Sequence, residues 1–429
     1  MSIFERAQKA TLLSRLGEPP AWLIFVTGPR QSGKTTLVQQ ALGAVDRPRL
    51  YLAIDAPESN VDSPFLNRGA TGAIIPGGES ALPIGRQPDS EWLVRQWERA
   101  RVEADLSDRG FVLVLDEIQK IPDWSETVKG LWDADRIAGR PLHVVLLGSA
   151  PLLMQKGLTE SLTGRFEPIR LSHWSYSEMS AAFGFDLDQY VYFGGYPGAA
   201  PLIAEEERWR AYVMGALVNT SIERDVLALQ RVDKPILMKR LFELGAAYSG
   251  RELAYNKMLG QLQDAGNTTT LARYLDLMSQ VGLIAGLQKY ADQPVGRSST
   301  PKLNVLNTAL MSASSDYTFQ EARADRTYWG RLVESAVGAH LFNTRGSRTG
   351  LYYWRDGGDE VDFVLARAGR LAAIEVKIGR RRTAQTGFQK FEKRFGKSGR
   401  SIRRIAVDES GTQLAEFLAT PASEWLERP

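Results

Sequence analysis

A short segment near the start of the chain has the residue types that hold phosphate groups. Gly28-Pro29-Arg30-Gln31-Ser32-Gly33-Lys34-Thr35 fits the pattern G-x-x-x-x-G-K-[ST] and follows an apolar run at residues 22–27. The glycines let the backbone curl so that its N–H groups face phosphate oxygens, and the N-terminus of a following helix favours the same anion. Lys34 is expected to reach the β- and γ-phosphates of ATP, and the Thr35 hydroxyl to ligate Mg²⁺. The predicted nucleotide-binding residues are Gly28, Pro29, Arg30, Gln31, Ser32, Gly33, Lys34, Thr35 and Thr36.

Two adjacent carboxylates follow another apolar run and could complete that site. Asp116 and Glu117 come directly after the run at residues 111–115. At the carboxyl end of a buried strand, Asp116 can hold Mg²⁺ directly or through water, and Glu117 can act as the general base for the attacking water. A strand that merely ends in charged residues gives the same local pattern, but the phosphate-binding pattern upstream favours the hydrolytic interpretation.

Two further residues are candidates for contacts with the γ-phosphate. Ser149 follows the apolar run at residues 143–147, where a polar side chain often contacts the γ-phosphate or the lytic water; a plain turn serine is the alternative. Arg165 could act as an arginine finger, within its own chain or across a subunit interface. The predicted catalytic residues of the ATP site are Lys34, Asp116, Glu117, Ser149 and Arg165.

A third group, in the last quarter of the chain, has the residue types of a metal-dependent nuclease. Asp362 and the Glu375–Lys377 pair lie on adjacent predicted strands, and residues i and i+2 of a strand face the same side. Two carboxylates could hold Mg²⁺, which supplies a hydroxide nucleophile, while Lys377 adds positive charge and orients the water. The pattern [DE]-x-K is weak alone, so a cross-strand ion pair and a nuclease fold without cleavage activity stay open. The predicted metal ligands are Thr35 and Asp116 at the first site and Glu334, Asp362 and Glu375 at the second.

The net charge is concentrated beside this third group. The chain of 429 residues carries 53 Lys and Arg against 50 Asp and Glu, a net charge of +3. Residues 370–404 hold twelve basic and two acidic side chains, a net charge of +10, so the rest of the chain sums to −7. This asymmetry is typical of a polyanion-binding face, although a solvated basic surface gives the same count. The predicted partner is DNA, in branched, forked or duplex form.

Alternating strands and helices are needed to position the first two groups, and the N-terminal sequence predicts them. The alternation is typical of a doubly wound α/β domain with a parallel sheet. Ten Gly and Pro residues within residues 57–90 predict a long loop. The predicted strands are 22–27, 49–55, 111–115 and 143–147, and the predicted helices are 91–106 and 124–138.

The rest of the chain predicts two further units. Residues 151–290 are mostly helical in pattern, and the strands predicted at 283–289 and 302–306 give the end of this region the order of a winged helix-turn-helix. From residue 330, a helix, three successive strands, a helix and a last strand predict a smaller α/β unit, which holds the third group.

Composition excludes several classes of protein. Hydrophobic residues make up 43% and charged residues 24%, as in a globular protein and unlike a disordered chain or a coiled coil. The chain has no Cys, which excludes disulfides and Cys-ligated metal sites, and its 3 His lack metal-ligand spacing. No apolar run approaches the length of a membrane span and no secretory signal is visible, so we expect a cytoplasmic location with no membrane contact.

Taken together, the motifs resemble those of a prokaryotic family that joins an AAA-type ATPase domain to a C-terminal domain related to PD-(D/E)xK nucleases. The chain departs from the family at Asn307, where the family tends to have Asp, and residues 57–90 look longer than the usual loop. The matching segments are GPRQSGKTTL at 28–37, LDEIQKI at 115–121, LGSA at 147–150, SLTGRF at 161–166, GGYP at 194–197, ERDV at 223–226, GRLVE at 330–334, YWR at 353–355, EVDF at 360–363 and IEVK at 374–377.

The resemblance implies an α/β fold with an N-terminal AAA-type P-loop domain, a helical and winged-helix middle and a restriction-endonuclease-like end. By fold analogy we expect a homo-oligomer such as a hexameric ring. The expected divisions are 1–152 for the ATPase core, 153–232 for a helical lid region, 233–315 for the winged-helix-like region and 316–429 for the nuclease-like domain.

The sequence therefore predicts an ATP-hydrolysing protein that acts on DNA, with ATP and Mg²⁺ as cofactors. Its nuclease-like domain would either cut or grip the DNA. The alternative is a nucleotide-controlled switch or scaffold for a protein partner, in which the nuclease-like domain is catalytically silent.

Overall fold

A computed structural model describes residues 4–54, 88–148, 162–226, 234–262, 266–292, 299–377, 384–396, 400–408 and 412–427. The chain divides into two compact units, Met1–Leu171 and Ser172–Pro429. In the described ranges, no helix combines the length and the apolar character needed to cross a bilayer.

The first unit is built on a five-stranded sheet in which every pairing of neighbouring strands is parallel. The strand order is β2-β3-β4-β1-β5, so the central strands β3, β4 and β1 bring their carboxyl ends to one edge. The strands are β1 (Leu23–Thr27), β2 (Arg49–Ala53), β3 (Phe111–Asp116), β4 (Leu142–Gly148) and β5 (Phe166–Arg170).

Helices cover both faces of this sheet because successive strand residues face opposite sides. Phe25 packs with one set of buried residues that includes Trp97 and Trp124, whereas Ile24 and Val26 pack with another set. The near-continuous apolar strands of the sequence are explained by this burial on two faces. The helices are α1 (Gln8–Gly17) and α2 (Lys34–Ala44) on the second face, and α3 (Ser90–Leu106) and α4 (Trp124–Ala138) on the first.

The second unit begins with helices and then forms a seven-stranded sheet of order β12-β11-β10-β9-β7-β8-β6. Its helices are α5 (Tyr176–Phe183), α6 (Leu187–Phe193), α7 (Glu206–Ala211), α8 (Pro235–Ala247), α9 (Tyr255–Gln261), α10 (Thr268–Gln280), α11 (Ala309–Ser312), α12 (Phe319–Ala324), α13 (Arg326–Thr344), α14 (Ala384–Phe395), α15 (Leu414–Ala419) and α16 (Ala422–Trp425), with π-helical turns at Tyr212–Asn219 and Ser221–Val226. Its strands are β6 (Arg251–Glu252), β7 (Ile284–Lys289), β8 (Lys302–Val305), β9 (Gly350–Asp356), β10 (Asp359–Arg367), β11 (Arg370–Val376) and β12 (Ser401–Val407).

The hairpin of β7 and β8 belongs to the same sheet as the C-terminal strands. β7 pairs with β8 in antiparallel fashion and with β9 in parallel, through Gln288 opposite Tyr352 and Lys289 opposite Tyr353. The predicted order of two helices followed by a hairpin is present in α9, α10, β7 and β8. Its identification as a winged helix stays a prediction, as does the division of the chain into four domains.

Two local features position the third group of candidate residues. The pairing of β10 with β9 shifts register between Val361 and Val364, which is a bulge of the kind that re-aims a side chain. Helix α13 approaches the sheet closely because Gly338 has no side chain: a Cβ there would come 2.3 Å from Asn304 Oδ1 and 2.8 Å from Phe363. Glu334 lies one helical turn before Gly338 on the same helix, and its carboxylate pairs with Lys302 of β8.

The predicted α/β class and parallel N-terminal sheet are confirmed, with element ends that differ from the predicted ones by one or two residues in most cases. Strand β5 was missed, because Pro168 and the charges of Glu167 and Arg170 mask it in the sequence. A proline is tolerated there because β5 is an edge strand that pairs only with β1. Most of the predicted loop at 57–90 lies outside the described residues.

Candidate functional site

The phosphate-binding segment joins the end of β1 to the first turn of α2. Gly33 has a φ of +86° and Gln31 a φ of +57°, so the loop curls through left-handed conformations, and the one at Gly33 carries no steric cost. A Cβ at Gly28 would come 2.5 Å from the carbonyl oxygen of Leu171, so this position also requires glycine. Lys34 Nζ donates to the carbonyl oxygens of Gly28 (2.9 Å) and Pro29 (3.0 Å).

Thr35 and Asp116 are brought together across the sheet. The Thr35 hydroxyl donates to Asp116 Oδ2 at 2.9 Å, and the same oxygen accepts a hydrogen bond from Tyr51, whose role the sequence did not indicate. Asp116 is buried at the end of β3, opposite Ala53 of β2. A hydroxyl and a carboxylate are hard oxygen donors, and Mg²⁺ bound to a nucleotide needs only one or two protein ligands beside phosphates and water. These residues therefore fit the predicted Mg²⁺ of an ATP complex.

Glu117 has an unusual backbone conformation at the point where β3 ends. Its φ is +58°, in the left-handed region that costs a non-glycine residue free energy. Its carboxylate accepts a hydrogen bond from Gln119, whereas that of Asp116 accepts from Thr35 and Tyr51. The arrangement is compatible with the role of general base predicted for Glu117.

Of the remaining predicted catalytic residues of this site, Arg165 can be described and Ser149 cannot. Arg165 forms a two-pronged ion pair with Asp133 of α4, at 2.7 Å from Nε and 2.9 Å from a terminal nitrogen. The hydrogen bond from Arg165 lowers the pKa of Asp133, and its reciprocal effect raises the pKa of Arg165. An arginine finger would have to leave this pair, so the role of Arg165 stays a prediction. Ser149 lies outside the described residues.

In the second unit, the residues of the nuclease-like group form two ion clusters. Asp362 lies one position before the pairing of Phe363 with Ile374, and its Oδ2 accepts a hydrogen bond from the Val376 N–H at 2.8 Å. Glu375 pairs with Lys377 at 3.4 Å, while its second oxygen, Oε2, is buried and makes no hydrogen bond within the described residues. Burial raises the pKa of Glu375, and the charge of Lys377 acts against that rise.

Glu334 and Asp362 meet at a lysine that sequence reasoning missed. Lys302 of β8 is buried, and its Nζ lies 2.5 Å from Glu334 Oε1, 3.7 Å from Asp362 Oδ1 and 3.1 Å from the main-chain oxygen of Asp362. The ammonium also lies 4.7 Å from the centre of the Phe363 ring. The sequence feature that could have identified Lys302 is a single charged residue at the start of the otherwise uncharged strand KLNV.

The pKa values of this cluster respond to both burial and charge. Burial alone would lower the pKa of Lys302, but the charges of Glu334 and Asp362 outweigh it and raise that pKa. Burial raises the pKa of Glu334 to about 7, against the opposing effect of Lys302. In the described part of the chain, no group of three or more His, Asp and Glu side chains is arranged to hold a metal ion.

The basic segment is less positive in the structure than in the sequence. In the described part of this segment, three of the paired carboxylates come from outside residues 370–404 and offset part of its positive charge. The pairs are Lys377 with Glu375, Lys390 with Asp359, Arg394 with Asp356, Arg400 with Asp292 and Arg404 with Glu392.

Positive charge gathers at the far end of β10 and β11, away from Asp362. A groove of about 320 Å³ opens there, and two of its arginines, Arg348 and Arg370, are exposed. We call it the arginine groove; its charged and aromatic lining consists of Arg348, Arg367, Arg370, Arg400, Tyr290 and Tyr352.

Asn307, where the chain departs from the family pattern, has a structural role. Its Oδ1 accepts hydrogen bonds from the N–H groups of Gly195 (3.0 Å) and Ala309 (3.2 Å), and its Nδ2 lies 3.3 Å from His173 Nδ1. A Cβ at Gly194 would come 2.0 Å from the same oxygen, which explains a glycine in the segment GGYP.

Comparison with protein families divides the chain into three parts. Residues 86–180 match the model of an AAA domain, and this stretch contains Asp116, Glu117 and Arg165. This stretch of the chain is therefore similar to an AAA domain. Residues 184–321 match a domain of unknown function, DUF8612, and residues 329–422 match another, DUF4143. Both stretches that follow the AAA match in sequence are thus similar to domains of unknown function.

Two curated relatives, each described as an uncharacterised protein, come from Mycobacterium bovis and Mycobacterium tuberculosis. Each is 25% identical over 385 residues, which span 87% of this chain and 74% of the relative. They extend the likeness beyond the AAA domain to most of the chain.

Solved structures give a weaker likeness. Aeropyrum pernix ORC1 in complex with DNA is 16% identical, with coverage of 76% of this chain and 95% of that chain. A DNA replication initiation factor is 14% identical, with coverage of 65% and 79%, and a Thermotoga maritima RuvB variant is 16% identical, with coverage of 68% and 89%. All three have a TM-score of 0.29, too low to support an argument about function.

Proposed function

We propose that the protein binds and hydrolyses ATP and couples that cycle to binding or remodelling of DNA. The observation that carries the first part is the 2.9 Å hydrogen bond between Thr35 and Asp116, which joins the phosphate-binding loop to the acidic strand end. These two residues lie 81 positions apart in the chain and meet at the carboxyl edge of a parallel sheet, where ligands of open α/β folds bind.

In this proposal each residue has a distinct task. The loop from Gly28 to Gly33 presents backbone N–H groups to the phosphates, and Lys34 moves from its carbonyl partners to the β- and γ-phosphate oxygens. Thr35 and Asp116 hold Mg²⁺, which supplies neutralisation of the phosphate charge when it is bound. Glu117 accepts a proton from the attacking water.

A pair of substitutions at Thr35 tests the ATP site. Thr35→Ala removes the hydroxyl and should abolish measurable Mg²⁺-dependent ATP hydrolysis, while Thr35→Ser keeps the hydroxyl and should retain it. Equal turnover in the two variants would contradict the assigned role of the hydroxyl.

The DNA part of the proposal is supported by the arginine groove. Arginine side chains bind phosphate in a two-pronged manner, and tyrosines can stack on unpaired bases. The exposed Arg348 and Arg370 are the members best placed to meet a backbone phosphate, because Arg367 pairs with Glu427 and Arg400 with Asp292.

Salt-dependent binding measures this contribution. Replacement of Arg348 and Arg370 by Ala should weaken DNA binding and reduce the slope of log K against log salt by about 1 for each phosphate that the variant no longer neutralises. Arg208→Ala, which removes an exposed arginine paired with Glu205, is the matched control and should leave the slope unchanged. Identical slopes in all three proteins would remove the groove from the proposal.

The ATPase assay on a panel of DNA structures separates this function from a nucleotide-controlled switch for a protein partner. Hydrolysis stimulated by single-stranded, duplex or forked DNA supports coupling to DNA, whereas hydrolysis unchanged on every substrate favours the switch. The same experiment, with mass measured with and without ATP, tests the proposed homo-oligomer and its hexameric form.

A further inference from the structure

The cluster of Lys302, Glu334 and Asp362 joins three elements of the second unit. Lys302 lies at the start of β8, Glu334 on α13, and Asp362 at the bulge of β10. Glu334 and Asp362 are two of the three metal ligands that the sequence predicted for this unit. Their shared partner is a buried ammonium group.

The contacts of Lys302 resemble the ligand set of a hard cation. An ammonium has three N–H donors, and three oxygens surround this one: a carboxylate oxygen from Glu334, a carboxylate oxygen from Asp362 and the main-chain oxygen of Asp362. Carboxylate and carbonyl oxygens are also what Mg²⁺ and Ca²⁺ take from proteins. The Phe363 ring, 4.7 Å from Nζ, closes a further side with a cation–π contact.

We propose that Lys302 is the resident cation of this cluster and that its ammonium replaces the divalent metal of the nuclease-like centre. A metal ion bound to the same oxygens would place its positive charge next to the buried ammonium of Lys302. It would also take the oxygens that accept hydrogen bonds from that ammonium. The residues therefore do not fit a metal-dependent phosphodiesterase, and the cluster instead fastens the hairpin of β7 and β8 to β10 and α13.

The Glu375–Lys377 pair cannot supply a metal site in its place. Of the three metal ligands predicted in this unit, Glu375 alone stands outside the cluster, and its partner Lys377 lies 3.4 Å away with a positive charge of its own. The buried oxygen Oε2 of Glu375 can accept a hydrogen bond, but no group of three metal-ligating side chains forms around it in the described ranges. The lack of a metal site in these residues favours a nuclease-like domain that binds DNA without cutting it.

The role of Lys302 depends on neither ATP nor DNA. It can therefore be disproved without affecting the proposed ATPase, and the proposed ATPase can be disproved without affecting Lys302. The test uses the full chain without nucleotide and follows Mn²⁺ binding by electron paramagnetic resonance, with circular dichroism as the check of folding. Wild type and Asp362→Asn should bind the same amount of Mn²⁺, because Asp362 holds no metal ion in wild type. Lys302→Met keeps all but the terminal atom of the side-chain length, removes the charge and should gain one Mn²⁺ ion per chain, with an upward shift in thermal midpoint when Mn²⁺ is added. Lys302→Met combined with Asp362→Asn should lose that ion.

Two results would overturn the inference. The first is a Mn²⁺ ion bound by wild type and absent from Asp362→Asn, or Mn²⁺-dependent DNA cleavage by wild type that this variant lacks. The second is a folded Lys302→Met protein that binds no Mn²⁺. If Lys302→Met does not fold, Lys302→Gln takes its place, and the comparison of wild type with Asp362→Asn still decides the question.

Discussion

Two lysines, one in each unit, illustrate two uses of the same side chain. Lys34 donates to the main-chain oxygens of Gly28 and Pro29 in a half-buried loop. Lys302 is buried and lies between the carboxylates of Glu334 and Asp362. A neutral carbonyl is a weaker partner for an ammonium than a phosphate is, whereas a buried carboxylate is a strong one. Lys34 can therefore exchange its partners for a ligand, and Lys302 cannot without a large cost.

The difference teaches how to distinguish a ligand-binding lysine from a structural one. In the described residues, Lys34 donates hydrogen bonds to neutral carbonyl oxygens, whereas two of the oxygens around Lys302 belong to carboxylates. Where a lysine has neutral acceptors beside a curled glycine loop, an anion completes the charge balance. Where it lies between carboxylates of the protein, as Lys302 does, its positive charge is already compensated without a ligand.

The largest expected effect is on stability, from Lys302→Met. Loss of the ammonium leaves the buried carboxylate of Asp362 and the half-buried carboxylate of Glu334 without their cation, which costs about 3–5 kcal/mol in the free energy of unfolding. Denaturant unfolding of the nucleotide-free protein measures it. Because burial already raises the pKa of Glu334 to about 7, its neutral form is favoured at mildly acidic pH. The loss should therefore be smaller at about pH 5.5 than at about pH 8.5.

A second substitution sharpens this measurement. Adding Glu334→Gln to Lys302→Met removes one uncompensated charge, so part of the missing stability should return and the dependence on pH should weaken. A Lys302→Met protein as stable as wild type at both pH values would show that the cluster contributes nothing to folding.

The counterpart in the first unit is Lys34→Met, for which we expect the reverse profile. The carbonyl oxygens of Gly28 and Pro29, to which it donates, can be satisfied by water, so the free energy of unfolding should change less than in Lys302→Met. ATP hydrolysis should fall by about 10²–10³-fold, the usual effect of losing one preorganised charged donor. A steady-state phosphate-release assay measures this. If instead Lys34→Met unfolds as easily as Lys302→Met, the contrast between the two lysines is wrong.

A smaller and more selective effect is expected from Glu117→Gln. The amide keeps the shape of the carboxylate but cannot take a proton, so turnover should fall by about 10²-fold while ATP still binds. Nucleotide binding by fluorescence and hydrolysis by phosphate release are measured on the same sample. Turnover equal to that of wild type would refute Glu117 as the base.

The smallest effect on folding is expected at Arg165 and Asp133, whose ion pair is partly exposed. Arg165→Ala and Asp133→Ala should each shift the thermal midpoint only slightly, because exposed ion pairs contribute little. If Arg165 is an arginine finger, only its own variant should slow ATP hydrolysis. Equal rates of ATP hydrolysis in the two variants would contradict the arginine-finger role of Arg165.

The first unit could be predicted from the sequence because its signals are local. The segment from Gly28 to Thr35 is contiguous, and the apolar run before Asp116 fixes the edge of the sheet where it ends. Tyr51 was missed because its contact with Asp116 depends on the pairing of β2 with β3. Nothing in the residues near Tyr51 encodes that pairing.

The second unit was harder because its cluster is assembled by sheet pairing over long separations. Asp362 and Glu375 were placed on adjacent strands, and β10 and β11 do pair. Lys302 was not foreseen because it lies 60 residues before Asp362 on a hairpin that was assigned to another domain. Only the parallel pairing of β7 with β9 brings that hairpin into the same sheet.

That parallel pairing limits where the chain can be cut. A fragment that begins at residue 316, the predicted start of the nuclease-like domain, would lack β7 and β8. Strand β9 would become an open edge, with the partners of Tyr352 and Tyr353 missing. Exposed edges of this kind recruit other strands and promote aggregation. The smallest piece that retains every strand of this sheet therefore begins before β6, and a fragment that begins at the family boundary near residue 329 would lack three of the seven strands.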